Sequence, residues 1–359
     1  MSRLVAIDRP AGPGFVEELR RIWDAGDAAF PVDQRLPRPA RDAVVAAMRV
    51  GDEVDEGDAL VVATSGSTGA PRGVVLTHEA VAASADATSA RLGVRDDDHW
   101  LACLPLSHVG GLSVVTRSLR TGTRLTVLER FDPEDATRSG ATLVSLVATA
   151  LRRIDPASFR VIVLGGSRPP TDQPPNAVTT YGMTETGSGV VYDGVPLDGV
   201  EVEITEPADG AVDGEIRLRG PMLLRCYRDG TVPTTPDGWF PTGDLGRFLP
   251  DGRLHVTGRR GDLIVSGGEN VWPEAVEAAL GDHPLVDDVM VRGVDDPEWG
   301  QVAEAVVVPR GRAPTLVELR THVKRSHPAH LAPRRLVIAR SLPRTALGKL
   351  RRHDDDRSA

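Results

Sequence analysis

The sequence predicts an α/β protein: a large N-terminal α/β domain with layered sheets and a β-rich subdomain, followed by a small C-terminal α+β domain. Three observations carry this expectation. Between residues 121 and 164 short apolar runs alternate with helical patterns, as parallel βαβ units do. From 200 to 218 the pattern changes to short strands and turns. Gly258-Arg259-Arg260-Gly261-Asp262 then breaks the strand pattern, and a compact set of strands and helices follows, so the domains are expected at 1–260 and 261–359. With 359 residues, 40% apolar and 26% charged, the chain is long enough for two or three domains and a substantial core.

A net charge of -9 argues against a non-specific nucleic-acid binder, which needs a basic face to displace counterions. Cys103 and Cys226 are the only cysteines and stand apart from metal-ligand spacings, which excludes a disulfide framework. The apolar run at 4–7 is interrupted by Asp8 and is too short for a signal segment or a membrane span. The expectation is a cytoplasmic protein that works on small molecules, without nucleic acid or membrane; a homodimer is compatible with it.

Taken in order, residues 15–25 carry apolar side chains at helical spacing (Phe15, Val16, Leu19, Ile22, Trp23), and 40–48 form a second short helix after a proline-rich connector at 33–39. A strand at 59–63 and another at 74–76 flank a glycine loop. Thr77 is placed to cap a helix running to Leu92, with Glu79 in its first turn. A buried strand at 100–104 leads into an apolar segment at 112–119. Strands at 124–128, 141–146 and 160–164 alternate with helices at 133–139 and 147–154. In the C-terminal part, strands at 263–265, 286–292 and 303–308 accompany helices at 273–280 and 316–324, with Pro273 in the first turn of its helix.

The chemistry concentrates in loops. Thr64-Ser65-Gly66-Ser67-Thr68-Gly69 followed by Arg72 supplies hydroxyls, backbone N–H groups and a cation, the parts of a phosphate-binding loop. It is no Walker loop, since no Gly-Lys-Ser/Thr closes it and a strand follows; an ordinary polar hairpin is the alternative. His108 stands at a strand end beside Gly110 and Gly111, as a structural residue or a site residue. Arg117 lies in an apolar segment, where a cation either reaches solvent along its stem or meets an anion. Gly165-Gly166-Ser167 ends a strand, where a nucleotide pocket can form. Tyr181-Gly182-Met183-Thr184-Glu185 offers a flat ring, close backbone approach and a carboxylate able to hold Mg²⁺. Asp244 lies in a tight loop after Trp239 and Phe240, as a solvated turn residue or a carboxylate for a ribose diol.

These motifs, with Gly258-Arg259 and the terminal Gly348-Lys349, occur in the order found in the adenylate-forming superfamily of acyl-CoA synthetases, luciferases and adenylation domains, which the chain resembles from about residue 59 to Arg352. Within it, Ser145-Leu146-Val147-Ala148-Thr149, the run at 191–200 and Ser266-Gly267-Gly268-Glu269-Asn270 are most similar to the short actinobacterial o-succinylbenzoate-CoA ligases of menaquinone biosynthesis.

The resemblance implies a two-step reaction: carboxylate and ATP give an acyl-adenylate and pyrophosphate, and coenzyme A then gives acyl-CoA and AMP. By the same resemblance, Thr64 to Arg72 hold the β- and γ-phosphates, and Glu185 ligates Mg²⁺. Gly165, Gly166, Ser167 and Tyr181 to Thr184 frame the adenine. Asp244 and Arg259 attend the ribose and phosphate. Lys349 is the adenylation lysine on a mobile C-terminal domain that swings about a hinge just past Arg259. Gly267, Gly268 and Glu269 line the thiol's approach, while His108 and Gly187 border the acyl pocket. Related o-succinylbenzoate ligases carry an Arg nine places after this His, so Arg117 is expected to receive the substrate's second carboxylate.

Arg72 replaces the Lys of many relatives, the segment before the glycine loop is short, and Gly261 stands at the hinge position. Two other readings are a ligase for another aryl or short-chain acid, or one that loads a carrier-protein thiol, and a nucleotide-binding protein that has lost catalysis. Lys349, Glu185 and Asp244 argue against the last.

Overall fold

The alternating segment from residue 121 to 164 folds as its pattern requires, into parallel strands joined by helices or turns. In the computed structural model, which describes residues 1–65, 71–166, 172–207, 212–344 and 350–352 (Ser65 by its backbone alone), contacts divide the chain into two units. One is Met1–Glu203 with Arg217–Pro241 and Leu249–Leu254; the other is Ile204–Ile216 with Thr242–Phe248 and His255–Ala359.

The first unit holds two sheets. A seven-stranded sheet has the order Val195–Pro196, Gly189–Tyr192, Ala177–Gly182, Val161–Leu164, Leu143–Leu146, His99–Ala102, Arg124–Val127. Its last five strands are parallel and its first two pair antiparallel. A five-stranded sheet has the order Leu4–Ile7, Ala28–Pro31, Asp58–Ser65, Pro71–Thr77, Cys226–Tyr227. The N-terminal run too short to cross a membrane is thus a strand, paired parallel to Ala28–Pro31. All four residues of Ala28–Pro31 are buried, so it shows no alternation and goes unforeseen.

Two helices supply the middle of one core that joins both sheets. Helix His78–Leu92 starts where Thr77 Oγ1 accepts from Ala80 N–H and ends at Gly93 in the left-handed region, as the capping signals require. Helix Val109–Thr121 buries Leu112, Val114, Val115 and Arg117. Around them cluster Ile7, Leu60 and Leu76 from one sheet and Trp100, Leu143 and Val163 from the other. The helix expected at 147–154 is only Ala148–Leu151; Asp155 instead caps a 3₁₀ turn, Pro156–Ser158, and the residue before a proline disfavours helix.

In the second unit, strands Ile264–Ser266, Glu269–Val271, Val286–Asp296, Gly300–Pro309 and Arg335–Ile338 form one sheet. Helices Pro273–Gly281 and Leu316–Lys324 cover it, burying Val276, Leu280, Leu319 and Val323 against Val291 and Ala305. A further sheet has the order Glu201–Ile204, Gly214–Arg219, Phe240–Phe248, Leu254–Arg259. Asp244 therefore lies within a strand, not in the tight loop expected after Trp239 and Phe240; Gly243, at φ 74, gives the local kink. Among the described residues no helix is long and apolar enough to cross a membrane.

The first unit's sheet edge is fastened by charge. Asp58, with its side chain 1% exposed, accepts from Arg225 Nε at 2.9 Å and Nη2 at 2.8 Å, tying strand Asp58–Ser65 to the segment before Cys226. Removing the arginine leaves a buried carboxylate without its fork. Arg225→Ala is expected to cost about 2 kcal/mol, a figure reduced for the arginine's own partial exposure. Urea denaturation checks this, and Asp58→Asn in the same chain should return part of the loss.

Candidate active site

Four adjacent parallel strands release their following loops at one edge of the seven-stranded sheet, where open α/β sheets bind ligands. His99–Ala102 leads to His108, Leu143–Leu146 to Val147, Val161–Leu164 to Gly165 and Gly166, and Ala177–Gly182 to Met183, Thr184 and Glu185. Gly165 and Gly166 thus lie beside Tyr181 and Gly182 on neighbouring strands, in register Leu164 with Thr179. A Cβ on Gly165 would sit 2.8 Å from Thr180 Oγ1, and one on Gly182 would overlap the carbonyl of Ser188, so both positions need glycine for close approach. Ser167 lies outside the described residues.

The glycine loop joins strands Asp58–Ser65 and Pro71–Thr77, which pair antiparallel down to Thr64 with Arg72 and Ser65 with Pro71. The strand, loop, strand form is as expected; Gly66, Ser67, Thr68 and Gly69 lie outside the described residues. Thr64 Oγ1 donates to Arg72 O at 3.4 Å. The Arg72 guanidinium lies 4.1 Å from the centroid of the Tyr227 ring, and Tyr227 donates to Glu185 Oε1 at 3.0 Å. Leu224 N–H donates to Glu185 O at 2.7 Å, which fixes the backbone of the same residue. Tyr227, in contact with both candidates, was missed by sequence reasoning because a two-residue strand has no readable period.

His108 precedes helix Val109–Thr121 as its N-cap residue, and its Nε2 lies 3.7 Å from Asp33 Oδ2. Asp33, placed in sequence only as part of a connector, also accepts from Arg35 Nε at 2.8 Å and Nη2 at 2.7 Å. Burial pushes the Asp33 carboxyl up, but His108 and then Arg35 outweigh it and hold the group well below the usual carboxylate range.

Arg117 does not snorkel. It is 2% exposed, between Trp100, whose ring centroid is 5.6 Å away, and Ser188, whose Oγ accepts from Nη2 at 2.9 Å. Ser188 Oγ lies 3.0 Å from Ser84 Oγ, and Ser84, Thr116 and Gly187 line a small cavity with Leu112 and Val81. Arg117 Nε and Nη1 are buried and make no hydrogen bond among the described residues. A buried cation served by one hydroxyl and a ring, with no ion pair among the described residues, has the chemistry to receive an anion.

The second unit gathers the remaining candidates. Asp244 Oδ1 lies 3.8 Å from Arg259 Nε, and Thr242 Oγ1 accepts from Asp244 N–H while donating to Ile216 O. Gly267, at φ 59, packs so closely on Trp299 that a Cβ would overlap the indole; Gly268 has φ 85. Glu269 begins strand Glu269–Val271, with His330 Nδ1 at 3.9 Å. Lys349 lies outside the described residues. Three residues on, Arg352 is bound by Glu277, Glu274 and Asp262 at 2.7, 3.0 and 3.3 Å.

Among the described residues no three His, Cys, Asp or Glu side chains converge as a metal cage. Glu185 alone fits Mg²⁺ held chiefly by phosphate oxygens, which asks one or two carboxylates of the protein. The hairpin strands that end at Thr64 and Arg72, the Glu185 carboxylate and the glycine-lined strand ends are the features expected of an adenylate-forming nucleotide site. The model for AMP-binding enzymes matches residues 15–228, and that for the AMP-binding enzyme C-terminal domain matches 275–349; the chain belongs to the AMP-binding enzyme family.

A probable 2-succinylbenzoate--CoA ligase of Mycobacterium tuberculosis (strain ATCC 25618 / H37Rv) is 41% identical over 97% of this chain and 96% of its own length. The structure of the o-succinylbenzoate CoA synthetase of Bacillus subtilis with the acyl-adenylate intermediate OSB-AMP superposes with a TM-score of 0.86, at 27% identity, covering 99% of this chain and 88% of that one. The same Bacillus enzyme with ATP and magnesium ion gives 0.84, at 27% identity over 97% and 87%.

The Asp33 pairing has a pH signature. Because its folded-state pKa is depressed, its contribution to stability is complete above the ordinary carboxylate pKa of about 4 and is lost as pH falls below it. Asp33→Asn should therefore lower stability at pH 7 and lose less than the parent chain between pH 7 and pH 3, as read by denaturation midpoints.

Proposed function

We propose that this chain is an AMP-forming 2-succinylbenzoate–CoA ligase of menaquinone biosynthesis, working in the cytoplasm on small molecules. Buried Arg117 is the observation that carries the substrate class: an acid with one carboxylate to activate needs no second cation in the core. An acid with two does. The names and ligands of the relatives support the same reading.

The chemistry begins with two anions that repel. The succinyl carboxylate attacks the α-phosphorus of ATP, the new O–P bond forms and the bond to the β-phosphate oxygen breaks, releasing pyrophosphate. The hairpin from Thr64 to Arg72 takes the β- and γ-phosphates, and Glu185 holds Mg²⁺, which when bound supplies further neutralisation of phosphate charge. Gly165, Gly166 and Tyr181 to Thr184 take the adenine, Asp244 the ribose hydroxyls and Arg259 the sugar and phosphate. Lys349 reaches the reacting oxygens. In the second step the CoA thiol, losing its proton, attacks the acyl carbonyl and AMP leaves with the bonding electrons. Gly267, Gly268 and Glu269 line that approach, and His108 borders the acyl pocket.

The two steps call for two placements of residues 261–359 about Gly261. A Cβ at Gly261 would meet nothing within 4 Å, so substitution there is tolerated in this state; the glycine serves the change of backbone angles, not the packing.

Substitution of Arg117 tests the substrate assignment. Arg117→Ala should lower the ratio of dicarboxylate to monocarboxylate turnover by about tenfold or more, the worth of a charge-assisted hydrogen bond. An unchanged ratio would overturn it. Lys349→Ala should abolish acid-dependent ATP–pyrophosphate exchange while sparing thioester formation from a preformed acyl-adenylate; equal loss of both would contradict the role given to the lysine.

A further inference from the structure

Arg72 and Glu185 carry opposite charges and both touch Tyr227, yet they do not pair with each other. The Tyr227 ring stands between them, with the Arg72 guanidinium 4.1 Å from its centroid and its hydroxyl donating to Glu185 Oε1 at 3.0 Å. We propose that Tyr227 is a positioning residue for the magnesium–triphosphate site: it aims the Glu185 carboxylate at the cation and keeps Arg72 from collapsing onto that carboxylate. The inference rests on the nucleotide reading above.

Three features of the fold suit Tyr227 to this role. Its strand, Cys226–Tyr227, pairs antiparallel with Val74 and Val75, two and three positions beyond Arg72, so ring and cation belong to bonded neighbours. The strand is clamped at both ends. Arg225 forks onto buried Asp58, and Arg228 donates to the carbonyls of Met48, Glu53 and Arg49 at 3.0, 3.2 and 3.2 Å. Arg228 N–H also donates to Gly73 O at 2.7 Å, where the strands run so close that a Cβ on Gly73 would lie 2.9 Å from Arg228 Cβ.

The physics favours a tyrosine here over an ion pair. A direct Arg72–Glu185 bridge would neutralise both groups and leave neither for phosphate or metal. An aromatic face holds the guanidinium by cation–π attraction while leaving its N–H groups able to donate. A cation over the ring also makes the phenol a stronger donor, so the hydroxyl grips Glu185 Oε1 and leaves Oε2 for the metal. Hydrogen-bonded support of this kind orients metal ligands and tunes their affinity.

The test is calorimetric binding of ATP to the full chain, without acid or CoA, as a function of Mg²⁺ concentration. Tyr227→Phe keeps the ring and removes the hydroxyl: the Mg²⁺ concentration giving half-maximal ATP binding should rise about fivefold or more, with ATP affinity at saturating Mg²⁺ little changed. Tyr227→Leu removes the ring as well, and should weaken ATP binding even at saturating Mg²⁺. The shift caused by Tyr227→Phe should vanish in a Glu185→Gln background, a coupling that general loosening of the fold would not produce. An unshifted Mg²⁺ midpoint in Tyr227→Phe, or a shift that persists without the carboxylate, overturns the proposal. Mg²⁺-independent or absent ATP binding by the parent chain would instead overturn the nucleotide reading beneath it.

Discussion

A buried arginine held by a ring and a hydroxyl, with no ion pair among the described residues, sets the terms for the first unit. Arg117 packs by Trp100 and Ser188, and Arg72 stacks on Tyr227. Several other arginines are neutralised locally: Arg160 by Asp98, Arg225 by Asp58, Arg352 by three acidic side chains. Keeping a cation uncommitted inside a protein is costly unless an anion arrives to share its field. Arg117 is such a cation, in the layer between the sheets, and with the exposed Arg72 beside the hairpin it suits a reaction that brings a polyphosphate and a dicarboxylate together.

The rest of the first unit reads as the means of holding these groups still. The parallel strands bring the loops bearing His108, Gly165 and Glu185 to one edge, and the antiparallel hairpin brings Thr64 and Arg72. Helix Val109–Thr121, whose burial would be ordinary without Arg117, carries that residue into the core. The second unit holds Asp244 close to Arg259 and ties Arg352, just beyond the lysine segment, to Asp262 beside the proposed hinge. That arrangement fits a chemistry in which one part of the chain serves two steps.

Sequence carried most of the framework because its signals were local. Thr77 at the cap, Pro273 in the first turn and the helix at Leu316–Lys324 were all legible, as were the strands around the glycine loop. What escaped was set by tertiary contact. Ala28–Pro31 is buried on both faces and has no period, Cys226–Tyr227 is too short to have one, and Asp33 acquires its role only by meeting His108. Arg117 was legible as an anomaly, a cation in an apolar run, but only packing decided between the surface and the core. The glycine loop was singled out from its hydroxyls and glycines, whereas Tyr227, which touches both Arg72 and Glu185, needed the strand pairing to be seen.

The most direct measurement is product analysis of the purified chain with ATP, Mg²⁺, coenzyme A and 2-succinylbenzoate. The account predicts AMP, pyrophosphate and the CoA thioester in equal amounts, with no thioester when coenzyme A or ATP is left out. Release of ADP and phosphate, or the absence of pyrophosphate and thioester from this acid while a monocarboxylate is converted, would contradict it.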